Sequence, residues 1–397
     1  MFSFFSSQTE LEAVFDIGSS SVRGGLVRKE KGKAPHIEFT VREAIPFPID
    51  LTPKRFFQAM ISALDRANTA VVKASAGRRV RRVAYAFSSP WSATQTKVAT
   101  IERPEPFVLT KAIADEVISQ AEKTFEAEAL HTTPDGVADR LVTMERRVIQ
   151  VLLNGYPVTE PYGKKARRAD ISFFTSIVPK AVIDKVFETS MKAHHPKGTS
   201  AYSFPLVAFS LLRDIHHDLD DFIFLDVGGE LTDVSAVKNG LIVESASFPL
   251  GFNFLIRSVS KAFAMSPEQS ESLLRLHFEE HGDDNLAKKL EPVLIAASKE
   301  WANALHGLLT RLSDAMSLPQ KLFLIVGSDL VRFFVESAKD EKVAQLGLEE
   351  VPFSVTLLNA DKLKGHVTFA PNTRKDPLIA MITAFLHTHG ALEGEGR

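Results

Sequence analysis

Apolar positions near the start of the chain come in short β-rich runs, at residues 14–17, 22–27 and 36–43, parted by Gly, Ser and Lys. Runs of this length bounded by turn residues predict three consecutive strands. The period then changes. Phe56, Met60 and Leu64 recur every fourth residue, which sets them on one face of a helix. Thr52 can cap that helix, and Pro53 suits its first turn, where a missing N–H loses no bond. A further apolar run at 83–87 predicts a strand. The order is β-β-β-α-β.

The same order begins again later. Residues 222–226, 234–238 and 241–248 predict strands, helical patterns follow, and 321–326 is another apolar strand. Leu294, Ala297, Trp301, Leu305, Leu308 and Leu312 form a helical stripe, which places Trp301 in a core. Two copies of one order imply two related lobes, with the cleft between them as the default ligand site.

Residues 88–177 differ in character. Thr110 can cap a helix striped by Ile113, Val117, Ala121 and Phe125, residues 131–140 read as a polar loop, and 148–153 and 171–178 read as strands around the turn Asn154-Gly155. This predicts a small α+β insert. The following apolar positions Val182, Ile183, Val186 and Phe187 mark a helix, and 202–214 suggests another. The first lobe is therefore expected over 10–87 and 178–220, with a C-terminal part at about 365–390. The second lobe is expected over 221–364.

Composition narrows the function classes. The 397 residues exceed one ordinary core. A net charge of −2 gives no global sign of nucleic acid. The local basic clusters, Arg78, Arg79, Arg81 and Arg82, and Lys164, Lys165, Arg167 and Arg168, read as solvated edges. Absence of cysteine excludes disulfides, thiolate metal sites and cysteine nucleophiles, and fits a reducing cytoplasm. No apolar run approaches the roughly 20 residues that span a bilayer. Met1, Phe2, Ser3, Phe4 and Phe5 are apolar but lack the basic start of a secretory signal. They read as a frayed end or a short docking tip.

Two motifs can carry chemistry. Asp16-Ile17-Gly18-Ser19-Ser20-Ser21 lies between the first two strands, and Asp226-Val227-Gly228-Gly229-Glu230-Leu231-Thr232-Asp233 lies at the matching place in the second lobe. Gly and Ser at a hairpin tip let N–H groups and hydroxyls approach phosphate oxygens. An Asp at the strand end repels phosphate directly but can act through hydrated Mg²⁺. A tight turn alone explains either motif; their equivalent placement in a duplicated order argues for more.

The two hairpins resemble the phosphate loops of the actin, Hsp70 and sugar kinase superfamily. Leu322-Phe323-Leu324-Ile325-Val326-Gly327-Ser328 resembles its adenosine motif. The insert lies where FtsA and PilM carry an extra subdomain of the SHS2 type. The Asn154-Gly155-Tyr156 turn and the stretch Pro161-Tyr162-Gly163-Lys164 resemble the FtsA form, and Asp16 to Ser21 resembles the PilM form. The resemblance implies a duplicated actin-like α/β fold of two lobes with an inserted subdomain. It implies ATP as ligand, held by Asp16, Gly18, Ser19, Ser20, Ser21, Asp226, Gly228, Gly229, Glu230, Thr232, Gly327 and Ser328. Asp16 and Asp226 would hold Mg²⁺ through water.

The chain departs from that pattern. Glu230 replaces a Gly of the second loop, Ser328 replaces the second Gly of the adenosine motif, and Phe204 precedes Pro205 where relatives place a polar residue that orients water. The Glu-x-x-Lys near adenine is not kept, since Glu271 is followed by Leu274 and Arg275. Hydrolysis is expected to be slow at most. Residues 260–290 read as helical with a polar loop at 281–285, with no run for the small sheet of an actin-like second lobe. The Gly-rich, acidic end after His387 is not the basic amphipathic helix of FtsA proteins, so membrane contact is expected through a partner. The resemblance implies an FtsA-type scaffold of cell division, which self-associates or meets a tubulin-like division protein. The alternative is a PilM-like component of type IV pilus assembly, which meets the tail of an inner-membrane protein. A small-molecule kinase and a non-binding structural protein are the readings from other classes.

Overall fold

The structure, a computed structural model, describes residues 9–46, 52–132, 140–279, 284–327, 329–344, 346 and 353–390. The apolar tip at Met1 to Phe5, Ser328, the tail beyond Gly390 and most of both polar loops lie outside these residues.

The chain opens with β1 (Glu10–Ile17), β2 (Ser21–Lys29), β3 (His36–Ala44), α1 (Pro53–Ser75) and β4 (Val80–Phe87). As its sequence predicts, α1 starts at Pro53, with Thr52 accepting the Arg55 N–H at 3.3 Å. There follow β5 (Ala93–Val108), α2 (Lys111–Thr132), β6 (Leu141–Leu153), β7 (Tyr156–Pro157) and β8 (Lys165–Pro179). Thr110 accepts the Ile113 N–H at 3.2 Å at the start of α2. Next come α3 (Lys180–His194), β9 (Gly198–Ser203) and α4 (Phe204–Ile215). The second half holds β10 (Phe222–Val227), β11 (Thr232–Lys238), β12 (Leu241–Phe248), α5 (Phe252–Phe263), α6 (Pro267–Phe278), α7 (Asp284–Ala315) and β13 (Lys321–Val326). It closes with α8 (Val331–Ser337), α9 (Glu341–Ala344), β14 (Ser354–Leu357), β15 (Thr368–Phe369) and α10 (Pro377–Thr388).

Three sheets result, ordered β15-β3-β2-β1-β4-β9, β12-β11-β10-β13-β14 and β5-β8-β6-β7. The first two repeat one plan. β1 pairs antiparallel with β2 and parallel with β4, and β10 pairs antiparallel with β11 and parallel with β13. This is the two-lobed actin-like α/β fold. The third sheet packs α2 through Ala99, Ile101, Ile118, Val151, Ile171 and Phe173.

The layers fix where the hairpin tips meet. α1 and α3 cover one face of the first sheet, while α5, α7 and α8 cover one face of the second. Between the two sheets lie α4 and α10, in a single apolar cluster that runs from Val14 and Val27 to Phe224 and Phe323. The lobes thus share a buried hydrophobic joint, which resists separation because opening it wets apolar surface.

Some elements differ from the sequence expectation. β5 and β9 are among the strands that were not predicted. β5 carries the charged and Pro-rich stretch Glu102 to Pro106, where its pairing with β8 slips, so its alternation is broken. β9 is built of small and polar residues and pairs parallel to β4. The helix expected from Tyr202 starts only at Phe204. Among the described residues between 260 and 290 the structure holds helices α5, α6 and α7 and no strand.

Candidate functional site

The two Gly-rich hairpins face each other. The first is the β1–β2 turn, closed by the Gly18 N–H on the Ser21 carbonyl at 3.2 Å. The second is the β10–β11 turn, closed by the Gly228 N–H on the Leu231 carbonyl at 2.9 Å. Asp16, Gly18, Ser19, Ser20, Asp226, Gly228, Gly229 and Gly327 all line the gap between them, with Arg23 and Leu378. That gap is about 20 Å³, room for about one water.

The tips touch directly. The Ser19 hydroxyl accepts the N–H groups of Gly229 and Glu230, each at 3.0 Å. A Cβ on Gly229 would stand 2.6 Å from Ser20 Cβ, so only Gly permits the approach. The carbonyls of Gly228 and Gly229 accept N–H groups of Phe252 and Asn253 at 3.0 and 2.9 Å. The donors at the start of α5 are therefore used inside the chain.

Behind the tips sits a charged cluster in which the sequence singled out Asp16 and Asp226 but neither Arg23 nor Asp376. Arg23 lies directly opposite Asp16 in the β1–β2 register. Its guanidinium donates to Asp16 Oδ2 at 2.5 Å, stands 3.2 Å from Asp376 Oδ2, and donates to the Gly327 carbonyl. Arg23, Asp16 and Asp376 are all buried. Burial works against the Arg23 charge, but Asp376 and Asp16 hold its pKa above the ordinary value. Burial lifts Asp16 to about 6 against the pull of Arg23. Burial, with Asp233 and Asp16 nearby, raises Asp226 well above the usual carboxylate range. A charged residue in the buried run Ser21-Val22-Arg23-Gly24-Gly25 was the signal available in the sequence, since such a charge needs a partner.

Other expected site residues point elsewhere. Ser21 accepts from Arg42 Nε at 3.2 Å. Arg42 lies over the Phe252 ring at 5.9 Å, and burial, then Arg23, lowers its pKa to about 10. Glu230 turns out of the hairpin to Asn253 Nδ2 at 2.8 Å and Arg257 Nη2 at 2.9 Å. The Thr232 hydroxyl is buried, donating to the Leu250 carbonyl at 2.8 Å and accepting from Trp301 Nε1 at 3.2 Å. Trp301 is a core residue, as its stripe predicts. Phe204 is fully buried in the joint between the lobes. Among the described residues no group of three or more His, Cys, Asp or Glu is arranged to hold a metal ion.

The insert reaches this region at two points. Trp91 donates through Nε1 to the Gly18 carbonyl at 2.7 Å and stacks on Phe56. Glu145, buried on β6, accepts the Ser203 N–H at 3.1 Å and the Ser203 hydroxyl just before α4. Burial raises Glu145 to about 7, against the opposing bonds from Ser203.

No family model matches the sequence, and no curated protein matches it. Solved structures do. A chain of a PilM–PilN type IV pilus biogenesis complex matches with a TM-score of 0.61 at 14% identity, over 95% of this chain and 98% of that chain. Ethanolamine utilization protein EutJ from Carboxydothermus hydrogenoformans matches at 0.45 and 12% identity, over 94% and 88%. A non-polymerising MamK mutant bound to AMPPNP matches at 0.40 and 11% identity, over 96% and 98%. The first of these likenesses is one of fold, and it runs nearly the full length of both chains.

Proposed function

We propose that this chain is a protein-binding scaffold of the PilM kind, which docks the cytoplasmic segment of an inner-membrane protein in a type IV pilus assembly. The observation that carries this reading is the near end-to-end match to a chain of the PilM–PilN complex. Among the described residues no helix is long and apolar enough to cross a membrane. The insert supplies a sheet of its own, and the bonds of Trp91 to Gly18 and of Glu145 to Ser203 tie it to the first hairpin and to the start of α4.

An FtsA-type role in division has two observations in its favour, the stretch Pro161-Tyr162-Gly163-Lys164 and the Asn154-Gly155-Tyr156 turn. The Asn154-Gly155-Tyr156 turn also has a structural explanation. Asn154 and Gly155 adopt positive φ of 52° and 85°, and the Asn154 carboxamide accepts the N–H groups of Arg167 and Arg168 at 2.9 and 3.1 Å. Asn-Gly is what a tight hairpin of this type requires.

Affinity capture from the native cell, with the full chain as bait, separates the two. Recovery of pilus inner-membrane proteins supports the proposal. Recovery of a tubulin-like division protein replaces it with the division role.

A further inference from the structure

The fold and the two aspartates at its cleft raise the expectation of ATP held through Mg²⁺. The side chains present do not fit that pair. Mg²⁺ keeps several waters in an octahedral shell at about 2.1 Å, and the gap between the hairpins has room for about one water. An ion there would also stand beside the fixed Arg23 guanidinium, and like charges repel strongly where water is excluded.

The phosphate side is occupied in the same way. Ser19 holds the two N–H groups at the tip of the second hairpin. On the adenosine side, Gly327 is pressed between Arg23 and Leu378. A Cβ on Gly327 would lie 2.6 Å from Arg23 Nη2 and 3.1 Å from Leu378 Cδ1.

We infer that Arg23 is an internal cation that takes the place of a bound metal, and that the chain's own side chains close the two lobes without nucleotide. Arg23 joins three elements at once. Asp16 ends β1, Asp376 caps α10, and Gly327 follows β13 in the second lobe. One guanidinium therefore offsets part of the acidic cluster's charge and bonds across the cleft. Its planar fork of five donors suits several acceptors in a way that a lysine ammonium does not. At the rim Arg374 adds a bond from the first lobe to Asp329 of the second, at 2.8 Å. The apolar joint through α4 and α10 lies beneath. The cleft is then held shut by the chain's own groups. This inference does not depend on the identity of the partner.

The test uses the full chain. Its melting temperature is measured alone, with MgCl₂, with ATP and with both, each at millimolar concentration. A ligand that binds the folded state raises the melting temperature. The wild type is expected to show no shift. A rise of several degrees with ATP and Mg²⁺ together would overturn the inference. Arg23→Met keeps the stem and removes the charge, leaving Asp16 and Asp376 unpaired. The variant is expected to melt lower, to recover in part with MgCl₂ alone, and to exchange the Gly229 and Glu230 amides about tenfold faster. A variant whose exchange is unchanged, or which MgCl₂ leaves unmoved, would sink the role of Arg23. Should the variant fail to fold, the wild-type titration still decides whether the cleft takes nucleotide.

Discussion

Ser19 and Gly229 stand 210 residues apart in sequence, yet the hydroxyl of the first accepts the backbone N–H of the second at 3.0 Å. Two lobes built from distant parts of the chain are thus stitched at their tips by one side-chain oxygen. Ser19→Ala removes the acceptor of two N–H groups in a gap with little water. The expected cost is about 1–3 kcal/mol, since an unpaired buried donor keeps its full desolvation penalty. Urea unfolding measures it, and a change within about 0.5 kcal/mol, the level of a neutral surface substitution, would show that the contact carries no stability.

Gly229→Ala probes the same contact by crowding. The new Cβ would meet Ser20 Cβ at 2.6 Å and Ser20 N at 2.8 Å, and one of those is backbone. Destabilisation of about 1–3 kcal/mol is expected, the range for overpacking. Gly198→Ala is the control, because nothing lies within 4 Å of its Cβ position. Equal melting temperatures for the two variants would mean that the hairpins do not meet.

Glu145→Gln tests a buried carboxylate at the junction of insert and lobe. Burial raises Glu145 from 4.5 to about 7, so folding favours its neutral form. The stability tied to that form is complete below pH 4.5 and is lost as pH rises through about 7. Gln stays neutral and still accepts from Ser203. The variant should match the wild type at about pH 3.5 and gain up to about 3 kcal/mol on it by about pH 8. Denaturant midpoints at the two pH values give the difference. A gap of the same size at both would refute the shift.

Glu230→Ala separates a surface ion pair from a site residue. Arg257, the partner of Glu230, is 46% exposed, and pairs of this kind contribute about 1 kcal/mol or less. A small loss of stability is expected, with no gain of ATP binding by calorimetry. ATP binding gained on removing the carboxylate would mean that Glu230, and not the closed joint, keeps nucleotide out.

Much of the scaffold was legible in the sequence. Thr52 and Thr110 mark helix starts because capping is settled within one turn. The stripe through Trp301 marks a buried face because a helix brings every third or fourth residue to one side. Asp16 and Asp226 could be placed together because two hairpins occupy equivalent positions in a repeated order. β5 and β9 were not legible. Their partners β8 and β4 lie elsewhere in the chain, and a strand with broken alternation owes its existence to the edge it joins.

The sequence by itself determined the two hairpins and the helices that back them, since these rest on contacts within a few residues, and its repeated order set the hairpins in equivalent places. Only the tertiary structure decided what fills the space between. Arg23 reaches Gly327 across 304 residues of chain, and Ser19 takes N–H groups that a motif alone would leave open to a ligand. Which donors remain free, and whether a buried charge has its partner, depends on groups that folding brings from far away, and no local pattern records that distance.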